Sequence, residues 1–289
     1  MDMLSTKYQR VILVTGANKG IGFHVVKKIL NESSSYNNVI LLGSRDLKRG
    51  QDALEQLGSP SNVHLLQLDM LSIENINEAV NEIKEKYGGQ LDIVINNAGI
   101  LLNDLTVDAA RKTFAVHYYG IKLLNEQLFP MIRKNGRIIN VSSQVGAIAL
   151  QESSAILQNK YTSPTLTIKE LDQLVEDFIA AIETNTLEDL GYYNKTYSPI
   201  YGISKAALNA LTQIEAREWS ISKNLLVVSV SPGFCATDMT QYASDARSPE
   251  IGADSILHAV NTPQNELQNG GFYRDGKQLS LISEPIPRS

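Results

Sequence analysis

The sequence predicts an α/β fold, a doubly wound parallel sheet with helices on both faces. Two observations carry that expectation. Six short runs are almost continuously apolar and rich in β-branched residues, as strands buried on both faces must be. Segments with helical spacing separate most of them, and strand–helix alternation builds βαβ units with right-handed crossovers.

The first run, Val11-Ile12-Leu13-Val14, leads into Thr15-Gly16-Ala17-Asn18-Lys19-Gly20-Ile21-Gly22 and an apolar helix from Phe23 to Leu30. A glycine-rich turn from strand into helix lets the backbone approach a pyrophosphate and aims free N–H groups at it. The second run, Val39 to Leu42, is followed by Gly43-Ser44-Arg45. An NAD-selective site places an acidic residue there for the ribose 2′-hydroxyl. Arg45 and Lys19 instead suit a 2′-phosphate, arginine as a planar fork and lysine as a point charge, so the cofactor expected is NADPH/NADP+.

The third run, Val63 to Leu68, ends at Asp69, an aspartate that could cap the helix signalled by Ile73, Ile76, Val80 and Ile83. The fourth, Leu91 to Ile95, runs into Asn96-Asn97-Ala98-Gly99, and the fifth, Arg137 to Val141, into Ser142-Ser143. Residues 144–199 then form an insertion. In it Thr167-Ile168-Lys169-Glu170 reads as a capping box, and Leu171, Leu174, Val175, Phe178, Ile179 and Ile182 follow at helical spacing. Next comes Tyr201-Gly202-Ile203-Ser204-Lys205, whose phenol and ammonium share a helix face four residues apart. A phenol with a pKa near 10 is a poor acid at neutral pH unless a positive charge stabilises its anion. After the sixth run, Leu225 to Val230, come Ser231-Pro232-Gly233 and Thr237-Asp238-Met239.

In this order the motifs from about residue 10 to 240 resemble the short-chain dehydrogenase/reductase family, which has a Rossmann-type sheet. The glycine spacing matches that family's T-G-x-x-x-G-x-G rather than the common G-x-G-x-x-G. The resemblance implies catalytic roles for Ser143, Tyr201 and Lys205. Ser143, rather than Ser142, would bond the substrate carbonyl, with Tyr201 as proton donor. Gly16, Asn18, Lys19, Gly20, Ile21, Gly22, Arg45, Asp69, Asn97, Ala98, Gly99, Tyr201, Lys205, Pro232, Gly233 and Thr237 would bind the cofactor. No metal is implied. The activity implied is NADPH-dependent reduction of a ketone, aldehyde or quinone; the alternatives are oxidation of a secondary alcohol or steroid, or a non-catalytic NADPH-binding protein.

Two features depart from the family pattern. His117 stands where the family carries an asparagine that holds a water linked to the lysine. It either bridges through a ring nitrogen, adding a step governed by its pKa near 6.5, or is merely satisfied in the interior. Ser143 and Tyr201 lie 58 positions apart, far more than usual. Such insertions resemble those of monomeric carbonyl reductases and related plant ketone reductases, and the inserted helix would cover the face that pairs in the tetramers. A monomer is therefore expected.

Composition bounds the rest. At 289 residues, with 43% hydrophobic and 20% charged, the chain is expected to form a single domain over 1–289. A lone cysteine, Cys235, a polar Met1–Lys7 start and no long apolar run predict a reducing, cytoplasmic setting with no membrane partner. A net charge of −5 gives no basic surface for nucleic acid, which leaves a small-molecule substrate.

Overall fold

A computed structural model describes residues 9–32, 37–193 and 198–283. The Met1–Lys7 segment lies outside the described residues. In chain order the elements are β1 (Gln9–Val14), α1 (Gly20–Asn31), β2 (Asn37–Ser44), α2 (Leu47–Gln56), β3 (Val63–Gln67), α3 (Ile73–Lys86), β4 (Leu91–Asn96) and α4 (Val107–Phe114). A π-helical turn, Ala115–Tyr119, joins α4 to α5 (Gly120–Leu128) and is followed by β5 (Ile132–Val141). Then come α6 (Gln144–Gln151), α7 (Ala155–Tyr161), α8 (Ile168–Thr184), α9 (Pro199–Lys223), β6 (Leu226–Val230), α10 (Pro249–Asn261), β7 (Phe272–Arg274) and β8 (Lys277–Leu279).

The sheet order is β3-β2-β1-β4-β5-β6-β7-β8, parallel through β7, with β8 antiparallel at the edge. Order reverses between β1 and β4, so a crevice opens beyond their carboxyl ends. Successive side chains of a strand point to opposite faces. Val11 and Leu13 accordingly join the core under α3, α5 and α9, while Ile12 and Val14 join the core under α1 and α10. All six expected strands form. β7 and β8 go beyond the six expected strands, and β8 makes the sheet mixed rather than wholly parallel.

The insertion folds as α6, α7 and α8. The expected capping box starts α8: Thr167 N–H donates to Glu170 at 2.9 Å and Glu170 N–H to the Thr167 hydroxyl at 3.3 Å. Leu171, Leu174, Val175, Phe178 and Ile179 are buried, and Phe178 meets Phe114 of α4 edge-on at 5.8 Å between ring centroids. Polar bonds fix the register of α8. Tyr118 OH donates to Asp172 at 2.8 Å, Lys122 reaches the same carboxylate at 2.6 Å, and Tyr119 OH donates to Glu176 at 2.7 Å.

Candidate active site

The glycine loop is shaped for close backbone approach. Gly16 and Gly20 have φ of +63° and +57°, and a Cβ on Gly16 would stand 2.8 Å from the Ala98 Cα. One on Gly22 would stand 2.4 Å from Asn97 Nδ2. Asn97 locks the loop to β4: its Nδ2 donates to the carbonyls of Thr15 and Gly16 at 2.9 and 3.1 Å. The Thr15 hydroxyl in turn accepts from Asn97 and Ala98 N–H at 3.0 and 2.9 Å. Thr15 is thus a structural anchor of the loop that the sequence signals only by its place at the end of β1. No side chain caps α1, whereas Asp46, Ser72, Thr106 and Ser143 cap α2, α3, α4 and α6. The first amides of α1, from Gly20 to Gly22, are left for an anion.

Around this cradle the expected residues take different positions. Asn18 lies within the loop and Ile21 in the first turn of α1. Arg45 is exposed just beyond β2, with no carboxylate bonded to it among the described residues. Lys19 is turned across the cleft and pairs with Asp238, which also accepts from the Tyr242 hydroxyl. Asp69 accepts from Leu71 N–H at 3.0 Å, while Ser72 caps α3, so the helix-capping alternative for Asp69 gives way to a local turn. Thr237 lies over the loop, its Cγ2 3.3 Å from where a Gly20 Cβ would be, and Met239 reaches within 3.6 Å of the Cβ position on Gly99.

The catalytic candidates meet where α6 crosses α9. That crossing needs glycine, because a Cβ on Gly146 would sit 2.7 Å from Ala206 N and one on Gly202 2.7 Å from the Ala149 Cβ. Close packing brings Ser143, the N-cap of α6, beside Tyr201 near the start of α9. Burial pushes the Tyr201 phenol up to about 12, and the nearby Ser143 hydroxyl works in the opposite direction by favouring the ionised form. Ser142 is spent elsewhere: its hydroxyl donates to the Lys205 carbonyl at 3.2 Å. Lys205 is buried, and desolvation brings it down to about 7. Its Nζ lies 5.8 Å from the Tyr201 ring centroid and donates to the Val141 carbonyl at 2.9 Å.

His117 sits in the π-helical turn, a distortion that often marks functional sites. It is fully buried, accepts from Ile100 N–H through Nε2 at 3.0 Å and bonds the Ser204 hydroxyl through Nδ1 at 2.9 Å. Both ring nitrogens are engaged, which leaves neither for a bridge to Lys205. Burial first, and the Lys205 charge second, hold its pKa well below the usual value, which removes the step near pH 6.5.

The loop after β6 closes the other side. Gly233, at φ +79°, packs against Arg247, whose Nε donates to the Pro232 carbonyl at 2.8 Å. Cys235 is buried, and burial pushes its thiol up, so it is shielded rather than poised for reaction. Phe234, Met239 and Tyr242 leave 51, 37 and 66% of their surface exposed at this rim, apolar area available to a ligand.

A buried polar network ties the strands beneath. Asn96 donates to Asn125 and Asn140, each at 2.8 Å, and Asn125 donates to both carboxyl oxygens of Glu215 at 3.1 and 3.0 Å. With no cation beside it among the described residues, Glu215 is pushed by burial up to about 8. Sequence reading had no signal for it, since Asn125 and Glu215 lie 90 positions apart.

Residues 10–157 match the family model described as short chain dehydrogenase. The chain is 34% identical to carbonyl reductase (NADPH) 1 of Sus scrofa over 93% of each chain, and 33% identical to that of Mus musculus over 92% of this chain and 96% of the other. Among solved structures it is similar to salutaridine reductase from Papaver somniferum, with a TM-score of 0.79 and 28% identity over 91% of this chain and 99% of that one. Menthone neomenthol reductase from Mentha piperita follows at 0.73 and 27%, covering 91 and 98%. The chain therefore belongs to the short-chain dehydrogenase/reductase family.

Proposed function

We propose that the protein is an NADPH-dependent carbonyl reductase. The observation that carries this reading is the meeting of Ser143, Tyr201 and Lys205 beside the uncapped glycine loop, in a chain whose full-length relatives are named as NADPH carbonyl reductases.

The residues present fit the cofactor: the glycines leave a cradle that side chains would fill, and the exposed Arg45 would supply the cation that a 2′-phosphate needs. Gly16, Asn18, Gly20, Ile21 and Gly22 would hold the pyrophosphate, Arg45 with Lys19 the 2′-phosphate, and Asp69 the adenine end. Asn97, Ala98, Gly99, Pro232, Gly233 and Thr237 would line the nicotinamide half, with Tyr201 and Lys205 on its ribose. Bound NADPH supplies the hydride. Ser143 orients the substrate carbonyl, and Tyr201, protonated throughout the neutral range, gives its phenolic proton to the carbonyl oxygen. Lys205, fixed to the Val141 carbonyl, holds its Nζ beside the phenol. His117 stays neutral and braces the loop after β4 through Ile100. The exposed Phe234, Met239 and Tyr242 favour an apolar or aromatic substrate.

A monomer belongs to this reading, because α8 packs on α4 and α9 and pairs through Asp172 with Lys122 of α5; a tetramer in light scattering that persists on dilution contradicts it. So does a cytoplasmic location, which suits a chain whose lone cysteine can form no internal bridge. The test of function is turnover of NADPH and, separately, NADH with a panel of quinones, diketones, aldehydes and steroid ketones. Turnover favouring NADPH is expected. NADPH that binds without turnover on any of them contradicts the reading.

A further inference from the structure

Arg274, the last residue of β7, donates from its guanidinium to the side-chain carbonyl of Gln144. Gln144 directly follows Ser143 and begins α6; its own N–H donates to the Ser231 hydroxyl at 3.3 Å. The same guanidinium lies against the loop after β6, since a Cβ on Gly233 would stand 3.2 Å from its Nη2. Arg274 thus touches both walls of the site, one carrying Ser143 and the other Pro232 and Gly233.

It is also held from behind. Asp275 accepts from Arg274 Nε at 3.3 Å and from Arg247 at 2.8 and 2.9 Å. Arg247 bonds the Pro232 carbonyl, and Asp275 N–H donates at 2.8 Å to Ser255, whose hydroxyl donates to the Ser231 carbonyl at 3.0 Å. A planar guanidinium presents its donors in a fixed fork, whereas an ammonium is a point charge on a flexible stem. β7 has three residues, of which Phe272 and Tyr273 are buried, so Arg274 at its end carries the polar brace between β7 and α6.

We propose that Arg274 is a positioning residue. Acting through Gln144, it holds Ser143 in register with the Pro232–Gly233 loop and so fixes where the substrate carbonyl lies between them. It contacts neither Tyr201 nor the carbonyl. The inference rests on the reading of Ser143 as the group that orients the carbonyl.

The test compares Arg274→Met, Arg274→Lys and Gln144→Leu, and places Arg274→Met in a Ser143→Ala background. It reads kcat, KM, NADPH affinity and the thermal midpoint. Misplacing a reacting group by about 1 Å costs up to about a hundredfold, so Arg274→Met is expected to lower kcat about ten- to a hundredfold. NADPH affinity and the midpoint stay near wild type, Gln144→Leu reproduces the loss, and lysine restores part of it. In the Ser143→Ala background the loss disappears, because no serine remains to position. A loss of the same size in that background overturns the proposal. So does a rise in KM at unchanged kcat, which makes Arg274 a substrate contact, or a parallel fall of midpoint and NADPH affinity, which makes it structural. Ser143→Ala that keeps wild-type turnover instead overturns the serine assignment itself, and the bracing role with it.

Discussion

His117 bonds the Ser204 hydroxyl through Nδ1 at 2.9 Å, and that hydroxyl donates in turn to the Tyr201 carbonyl at 2.8 Å. Because Ser204 spends its proton on the carbonyl, the imidazole must be the donor, which fixes the Nδ1–H tautomer and leaves Nε2 to accept from Ile100. A second proton on Nε2 would face the Ile100 N–H.

His117 is therefore expected to stay neutral across the physiological range. Its pKa is depressed on folding, so its contribution to stability is complete above the unfolded value near 6.5 and is lost as pH falls below it. Imidazole nitrogen shifts followed by NMR from about pH 5.5 to about 8 should show one histidine locked in the neutral Nδ1–H form. Titration of His117 with a midpoint near 6.5 would contradict the buried, doubly bonded ring.

The Lys19–Asp238 pair spans the cleft and places a carboxylate in competition with a phosphate for the same ammonium. Exposed pairs are worth little, so the competition is mild. Asp238→Asn should tighten NADPH binding about two- to fivefold and leave NADH unchanged, as followed by fluorescence titration. An equal change for both cofactors would mean that Lys19 does not address the 2′-phosphate.

Glu215 predicts an alkaline weakness. Its folded pKa of about 8 lies above the ordinary 4.5, with Glu126 and Glu218 adding to the effect of burial. The raised value means that its contribution is full below 4.5, erodes above it, and is gone once pH passes about 8. Urea unfolding of wild type and Glu215→Gln should show the wild type losing more stability between about pH 5 and about pH 9. Identical pH dependence in the two proteins would place the carboxyl in contact with solvent.

Much of this was legible in the sequence, for reasons tied to particular residues. The glycine loop, the basic Arg45 and the Tyr201–Lys205 pair are local motifs whose chemistry follows from spacing alone. The inserted helix announced itself by its capping box and apolar face. The antiparallel β8 was missed because β7 and β8 have three residues each, too short for a periodic signal. The Asp275-Gly276 turn, with φ of +49° and +78°, was the clue available. The partners of His117, Lys19 and Gln144 were not legible, since they lie 87, 219 and 130 positions away and follow from packing. Spacing places the lysine near Tyr201, but the burial of both groups, which raises the phenol and lowers the ammonium, follows from packing and was not legible.

The central claim is that Tyr201 donates the proton in NADPH-dependent carbonyl reduction, and Tyr201→Phe tests it most directly. Turnover and NADPH binding are measured side by side on the same preparation. The account predicts that binding survives while turnover falls at least about a hundredfold. Turnover near the wild-type rate, with the phenylalanine in place and the cofactor bound, would contradict it.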